Sequence, residues 1–103
     1  MYLRFFATAV DPSDLDAVQR IFTEDIKPAF EGMAGCTWLE LVVSTEKSAG
    51  GLLDGAVLSH WTSLDELNAA LESRTVAESM VRILPFLQIE PVTKTFEILR
   101  GTR

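Results

Sequence analysis

Several residue types and patterns that mark common classes of protein are scarce in this chain of 103 residues. It has one cysteine, Cys36, so no disulfide can form within the chain, and one histidine, His60. Its 9 basic residues are scattered and outnumbered by 15 acidic ones, which gives a formal charge of −6. Because phosphate backbones are bound by clustered lysines and arginines, no nucleic-acid partner is expected.

Long hydrophobic runs are also missing. No apolar run approaches the roughly 18 residues of a membrane-spanning helix, and the chain starts with MYLRFFATAV instead of a basic and then apolar leader. A phosphate-binding glycine loop, a paired-cysteine zinc motif and a nucleophile triad are absent from the sequence. We therefore expect a soluble cytoplasmic protein with no membrane partner and no bound metal.

Apolar residues are abundant instead, at 48% of the chain. The length fits a single domain over residues 1–103, whose core is adequate rather than generous. An ordinary polar shell over one small core would leave many of these apolar side chains uncovered. The composition therefore predicts a homo-oligomer.

Hydrophobic spacing predicts four strands, at residues 2–10, 37–45, 56–61 and 92–99. A first amphipathic helix starts at Pro12 after an Asp11 cap and is kinked near Pro28. A second helical region has two pieces, at 64–73 and 76–87, with a break near Arg74 and a distortion at Pro85. Residues 44–55 carry three glycines and several charges, which indicates a long mobile loop or a lid.

The second helical region carries two matches to the S/T-x-x-E capping motif. They are Ser63 with Glu66 and Thr75 with Glu78. In this motif the hydroxyl and the carboxylate satisfy backbone donors that the first helical turn leaves free. Each match predicts a helix start.

The order strand, helix, strand, strand, helix, strand is that of a ferredoxin-like βαββαβ domain, an α+β fold. Such a domain has a four-stranded antiparallel sheet with helices on one face. The other face then needs a partner sheet, which explains the excess of apolar residues. We therefore expect a homodimer.

Three stretches carry a resemblance to a known family: HWTSLDELNAAL, GMAGCTWLEL and the terminal KTFEIL strand. With them the chain resembles, over nearly its whole length, the antibiotic-biosynthesis-monooxygenase-like family. In that family two sheets close face to face into a dimeric α+β barrel, with a pocket between the sheet and the helices of each subunit. Some members oxidise polycyclic phenols to quinones with O₂ and use no metal or flavin.

For this chain the resemblance implies a cofactor-independent monooxygenase acting on a planar aromatic or polyketide-like molecule. Trp61 and Arg82 are the candidate catalytic residues, because Arg82 carries a permanent charge suited to an oxyanion. The candidate substrate-binding residues are Phe22, Ser59 and Phe86, which would form an aromatic wall with Trp61 or share its face. Whether Trp61 lines a pocket or fills the core stays open.

Two alternatives remain. In haem-degrading relatives an asparagine on the first strand and a histidine on the helix after the third strand are expected, yet Ala7 stands near the first position and residues 64–87 contain no histidine. His60 is the alternative candidate for a haem ligand or a general base. Strand alternation directs its side chain away from the face of Trp61. The second alternative is a non-catalytic small-molecule-binding or protective module whose pocket is filled by side chains.

Overall fold

Alternating hydrophobic side chains form the four predicted strands, and the computed structural model describes residues 1–101. The strands are β1 (Tyr2–Val10), β2 (Cys36–Lys47), β3 (Leu53–Trp61) and β4 (Val92–Glu97). They form one sheet in the order β2-β3-β1-β4, and every neighbouring pair is antiparallel. This is the predicted ferredoxin-like α+β fold.

The first helical region follows β1 and has three parts. Helix α1 (Leu15–Ile21) begins after a short 3-10 turn, passes through a π-helical turn (Phe22–Ile26) and continues as α2 (Lys27–Glu31). Asp11 caps the start as predicted, since its carboxylate accepts the Ser13 N–H at 2.9 Å. The Ser13 hydroxyl, which donates to the same carboxylate at 2.7 Å, and that N–H hold the pKa of Asp11 below its usual value.

The second helical region consists of α3 (Leu64–Leu71) and α4 (Arg74–Ser79), followed by a 3-10 turn (Leu84–Phe86). The predicted piece at 76–87 is therefore too long. The hydroxyl of Ser79 donates to the Val76 carbonyl at 2.6 Å, which competes with the helical ladder, and Pro85 has no N–H with which to resume it.

The first motif is confirmed as a helix start with Ser63 as its cap, although the Glu66 carboxylate accepts from side-chain hydroxyls instead of a backbone donor. The second motif is wrong. The Glu66 N–H donates to the Ser63 hydroxyl at 3.2 Å, at the start of α3. By contrast, α4 is preceded by Ser73, so Thr75 already lies inside the helix. Glu78 binds Arg74 on the helix surface at 3.0 Å instead of a backbone donor.

The segment predicted as a long loop at 44–55 is mostly strand. Strands β2 and β3 continue outward as a hairpin, and only residues 48–52 lie between them. The Ser48 N–H donates to the Leu52 carbonyl at 2.7 Å, and Gly51 supplies a φ of 80°. A two-stranded extension exposed to solvent has the polar composition of a loop, which is why composition misled the prediction.

The two faces of the sheet differ in how far helices cover them. The helix face includes Val10, Leu39, Leu41, Val57 and Trp61, which are packed in or against the core with the helices. No helix within residues 1–101 covers the other face, which we call the open face. It is defined by the side chains that alternate with these, among them Leu3, Phe5, Trp38, Leu58, His60 and Phe96. Phe5 and Phe96 are in contact there, with ring centroids 5.2 Å apart.

No helix within residues 1–101 is long and apolar enough to cross a membrane.

Candidate functional site

A cavity of about 490 Å³ lies between the helix face of the sheet and the first helical region. The sheet contributes mostly apolar residues, with one threonine and one glutamate: Phe6, Thr8, Val10, Leu39, Glu40, Leu41, Val42, Val43, Gly55, Ala56 and Val57. From the first helical region it is lined by Leu15, Val18, Gln19, Phe22, Thr23, Ile26 and Lys27. Met80, Ile83 and Leu87 close a third side. The volume is within the range of about 300–1,000 Å³ that is usual for small-molecule sites.

The π-helical turn forms part of the cavity wall. Pro28 has no N–H and its ring would collide with the carbonyl four residues earlier, so a regular α-helix cannot pass through this point unchanged. The chain widens instead, and the Lys27 N–H bonds to the Phe22 carbonyl five residues back. Phe22, Thr23 and Ile26 of this turn all line the cavity. Turns of this kind are often found at functional sites.

Polar groups are few and lie toward the solvent side of the cavity. Gln19, Thr23 and Lys27 line it and are exposed. The Thr23 hydroxyl donates to the Gln19 carbonyl at 3.0 Å, so its oxygen lone pairs remain able to accept. Inside, Thr8 is buried and its hydroxyl donates to the Ile89 carbonyl at 2.9 Å. The interior is therefore apolar and its polar contacts are concentrated at the rim.

Trp61 is a core residue that does not line the cavity. Its exposed fraction is 0%, and its indole N–H donates to the Ser59 hydroxyl at 2.8 Å. Its ring lies against Phe30, with centroids 6.3 Å apart. The structure therefore brings the predicted residues Trp61 and Ser59 together in the core beside the cavity, and not on its surface.

The two predicted phenylalanines have different surroundings. Phe22 lines the cavity and is only partly buried, so its ring can contact a bound molecule. Phe86 packs against the core from the 3-10 turn but does not line the cavity. Phe22 is the one predicted site residue that the structure places on the cavity wall.

Arg82 lies outside the cavity and bridges two of its walls. Its guanidinium binds the Asp25 carboxylate at 2.9 Å, and the side chain of Arg82 is 53% exposed. Asp25 belongs to the π-helical turn, whereas Arg82 stands between the lining residues Met80 and Ile83. In this position Arg82 joins the third side of the cavity to the helical wall.

His60 lies on the open face, as alternation predicts. Its ring is 6.3 Å from that of Trp38, the cross-strand neighbour of His60 on β2. Since Trp61 points to the helix face, the histidine and Trp61 do not share a site. Within residues 1–101 no group of three or more histidine, cysteine or acidic side chains is arranged to hold a metal ion.

A strongly polar cluster lies at the capped start of α3, directly after the end of β3. The Glu66 carboxylate accepts from the Thr62 hydroxyl at 2.6 Å and from the Ser63 hydroxyl at 3.0 Å. These two bonds lower the pKa of Glu66. Gly35 fits against this carboxylate with a φ of 85°, where a Cβ would come within 2.6 Å of it. The cluster has a structural role, because it fixes the entry into α3.

Cys36 is half-buried at the start of β2, and burial raises the pKa of its thiol. A raised pKa keeps the thiol protonated and lowers its reactivity.

Sequence reasoning missed the rim residues Gln19, Thr23 and Lys27. A signal for them was present, since they recur every four residues along the first helix, next to the apolar positions Phe22 and Ile26. A polar row beside an apolar stripe is normally an ordinary solvated helix flank. Only the cavity distinguishes this row from such a flank.

Known structures share this fold over nearly the entire chain. A protein of Nitrosomonas europaea that carries the provisional name antibiotic biosynthesis monooxygenase aligns with a TM-score of 0.75 at 9% identity, over 97% of this chain and 100% of its own. Another protein named antibiotic biosynthesis monooxygenase aligns with a TM-score of 0.73 at 12% identity, over 97% of this chain and 100% of its own.

A protein of Mycobacterium tuberculosis aligns with a TM-score of 0.71 at 15% identity, over 99% of this chain and 98% of its own. No protein-family model and no curated protein sequence matches the chain. The structural matches confirm the predicted resemblance: the chain has the fold of the antibiotic-biosynthesis-monooxygenase-like proteins. At these identities the likeness concerns the fold and does not assign a reaction.

Proposed function

We propose that this protein binds a small, planar, largely apolar molecule in its cavity and oxidises it with O₂ as a cofactor-independent monooxygenase. The observation that carries the proposal is the cavity of about 490 Å³ with Phe22 on its wall. Aromatic rings favour offset or edge contacts with one another, so a planar ligand gains specific stabilisation from Phe22. The names of the structural neighbours support the reaction class.

A phenol that carries a hydrogen opposite its hydroxyl is the simplest substrate of this kind. One oxygen atom of O₂ becomes the second quinone oxygen, and the other leaves as water with the two hydrogens that the substrate loses. The phenol supplies all four electrons that O₂ accepts. No external reductant is required, and the protein's part is to hold the ring and its developing negative charge.

The predicted catalytic roles of Trp61 and Arg82 stay predictions, and the geometry indicates how each would act. Trp61 supports the cavity from the core, since its ring is fully buried. To reach an oxyanion in the cavity, Arg82 would have to exchange its bond with Asp25 for one with the substrate. Phe22 is the residue that we expect to contact the ligand directly.

A non-catalytic binding module is the second candidate, and the composition of the cavity favours it. Among the lining residues within 1–101 the acidic one is Glu40, and there is no histidine or cysteine. Glu40 is the cross-strand neighbour of Leu58, so its side chain is directed to the open face. The cavity therefore offers an apolar surface with no obvious general base.

We also propose that two copies associate through their open faces into a dimeric α+β barrel. Large apolar side chains are exposed there, including Trp38 at 53% and Phe96 at 40%. Exposed apolar patches of this kind mark interaction sites. A second copy supplies the same surface, and a two-fold axis would bring the patch against itself.

The cavity is tested by filling it from the rim. Thr23 is exposed and lines the cavity, so Thr23→Trp can occupy the space without disturbing the core. Thr75→Trp is the matched control, because Thr75 is exposed on α4 and does not line the cavity. Binding is measured with the neutral fluorescent probe phenylnaphthylamine, and oxygen uptake with a panel of phenols and quinols.

We expect Thr23→Trp to weaken probe binding at least about tenfold, because the indole ring occupies apolar surface that the probe would otherwise contact. The substitution should also abolish any oxygen uptake. Thr75→Trp should match the wild type in both. Probe binding without oxygen uptake across the panel would favour the non-catalytic candidate. Equal probe binding in both variants would show that the cavity is not the site and would overturn the proposal.

A further inference from the structure

Lys27 is the positively charged residue at the cavity rim. The other charged lining residue within 1–101 is Glu40, whose cross-strand neighbour is Leu58 on the open face. Glu40 therefore contributes mainly its backbone, in the edge strand β2, to the cavity wall. The cavity combines an apolar interior with one positive charge at its rim.

The π-helical turn fixes the place of this charge relative to the aromatic wall. Because the Lys27 N–H bonds to the Phe22 carbonyl, the two residues are one widened turn apart on the same wall. Both line the cavity. A ligand whose ring contacts Phe22 thus has its edge near the Lys27 side chain.

The ion pair that Lys27 forms within the chain is weak. Its ammonium lies 3.8 Å from the Glu31 carboxylate, and the two side chains are 50% and 58% exposed. On α4 the comparable pair of Arg74 and Glu78 is closer, at 3.0 Å. Exposed pairs spaced by four residues contribute little, so an anion on a ligand can compete with Glu31 for the ammonium.

We propose that Lys27 determines specificity: the ligand carries a negatively charged group, such as a phenolate, carboxylate or sulfonate, at the edge of its planar body. This inference rests on the proposed function and names the class of ligand for the same site. The ring lies against Phe22, and the anion binds the Lys27 ammonium at the rim. The side-chain amide of Gln19, which also lines the cavity, can donate a hydrogen bond to the anion.

The net charge of −6 does not prevent this selection. At physiological ionic strength, charges farther away than about 8 Å are largely screened. A cation in contact with the ligand therefore outweighs distant carboxylates. Glu31 is the carboxylate paired with the Lys27 ammonium, so its removal should strengthen binding of the anion.

The test uses two fluorescent probes of nearly the same shape. Anilinonaphthalene sulfonate is anionic, and phenylnaphthylamine is its neutral counterpart. Lys27→Met removes the charge and keeps most of the length of the side chain. Lys47→Met is the matched control, since Lys47 ends β2 and does not line the cavity. Glu31→Gln removes the competitor, and Glu78→Gln removes the corresponding carboxylate of the pair on α4.

We expect Lys27→Met to weaken the anionic probe about fivefold and to leave the neutral probe within about twofold, in line with a partly exposed ion pair. Lys27→Arg should retain the preference, and Glu31→Gln should tighten the anionic probe about twofold. Lys47→Met and Glu78→Gln should change neither probe.

Equal losses for both probes in Lys27→Met, or no loss for either, would overturn the charge selection. If the neutral probe still binds and is lost in Thr23→Trp, the proposed function stands while the role of Lys27 fails. If neither probe responds to Thr23→Trp, the site itself is wrong, and both proposals fall together.

Discussion

The two tryptophans of this protein lie at the same level of the sheet and have opposite environments. Trp61 is at the end of β3 on the helix face and has an exposed fraction of 0%, whereas Trp38 on β2 is 53% exposed on the open face. His60, the chain neighbour of Trp61, is beside Trp38. One residue of displacement along a strand therefore decides between core and surface.

The helix face contains the packed core of the subunit, whereas the open face leaves apolar side chains exposed where we propose that a second copy binds. The helix face contains the core cluster around Trp61, Ile26 and Leu67, the large side chains that are almost completely buried. The open face has large apolar side chains that are exposed in the described part of the chain, such as Trp38 and Phe96. The predictions below separate these two contributions.

The largest expected effect is that of Trp61→Ala. It should lower the free energy of unfolding of the subunit by about 3–5 kcal/mol, because it leaves a large cavity in the core. Trp38→Ala should lower it by less than about 0.5 kcal/mol. Urea unfolding at several protein concentrations measures both values and separates subunit stability from association.

If Trp61→Ala does not fold, Trp61→Phe provides the same comparison. It retains a ring but removes the N–H that binds Ser59, for an expected loss of about 1–2 kcal/mol. Equal losses at Trp61 and Trp38 would contradict the division between the two faces.

A smaller effect is expected on association. Trp38→Ala should raise the dissociation constant of the proposed dimer about 30-fold, the effect of truncating a large aromatic contact in an interface. Sedimentation equilibrium at micromolar concentrations measures it. Val81→Ala is the control, since Val81 is 59% exposed but lies on the helical side. A wild-type protein that is monomeric under these conditions would remove the argument for the barrel.

The smallest effect concerns Glu66, which anchors α3 over the helix face. Because its folded pKa is lowered, its charge stabilises the protein above about pH 4.3, the usual value for an unfolded glutamate. That stabilisation is lost as the pH falls through the lower folded value. The melting temperature of the wild type should therefore fall more steeply below this pH than that of Glu66→Gln. Parallel curves from pH 7 to pH 3 would show that the carboxylate has no such role.

Much of the fold could be predicted from local patterns. The sequence predicts β1 at its observed bounds and the Ser63 cap at the start of α3, because a short uninterrupted apolar run and a capping motif act over a few residues. The errors were made where tertiary context overrides local chemistry. The β2 and β3 hairpin extends through a polar segment, and Thr75 is not a cap because α4 already starts at Arg74.

The candidate site was less predictable. Phe22 lies on the cavity wall, whereas Trp61, Ser59 and Phe86 do not line it. Sequence shows which residues share a strand face, but not how deeply the helices cover each point of that face. Their roles as catalytic or binding residues stay predictions. Lys27 was missed because a charged residue on a helix flank looks like ordinary solvated surface.

The sequence by itself determined the α+β class, the order of the elements and the opposite directions of His60 and Trp61. These follow from side-chain directions, which repeat every two residues in a strand and every three to four residues in a helix. Both periods are properties of the local backbone. Only the tertiary structure decided that Trp61 fills the core while a cavity opens beside Phe22. That outcome depends on the packing of the widened helix against the sheet, because the space between two layers is set by both of them together.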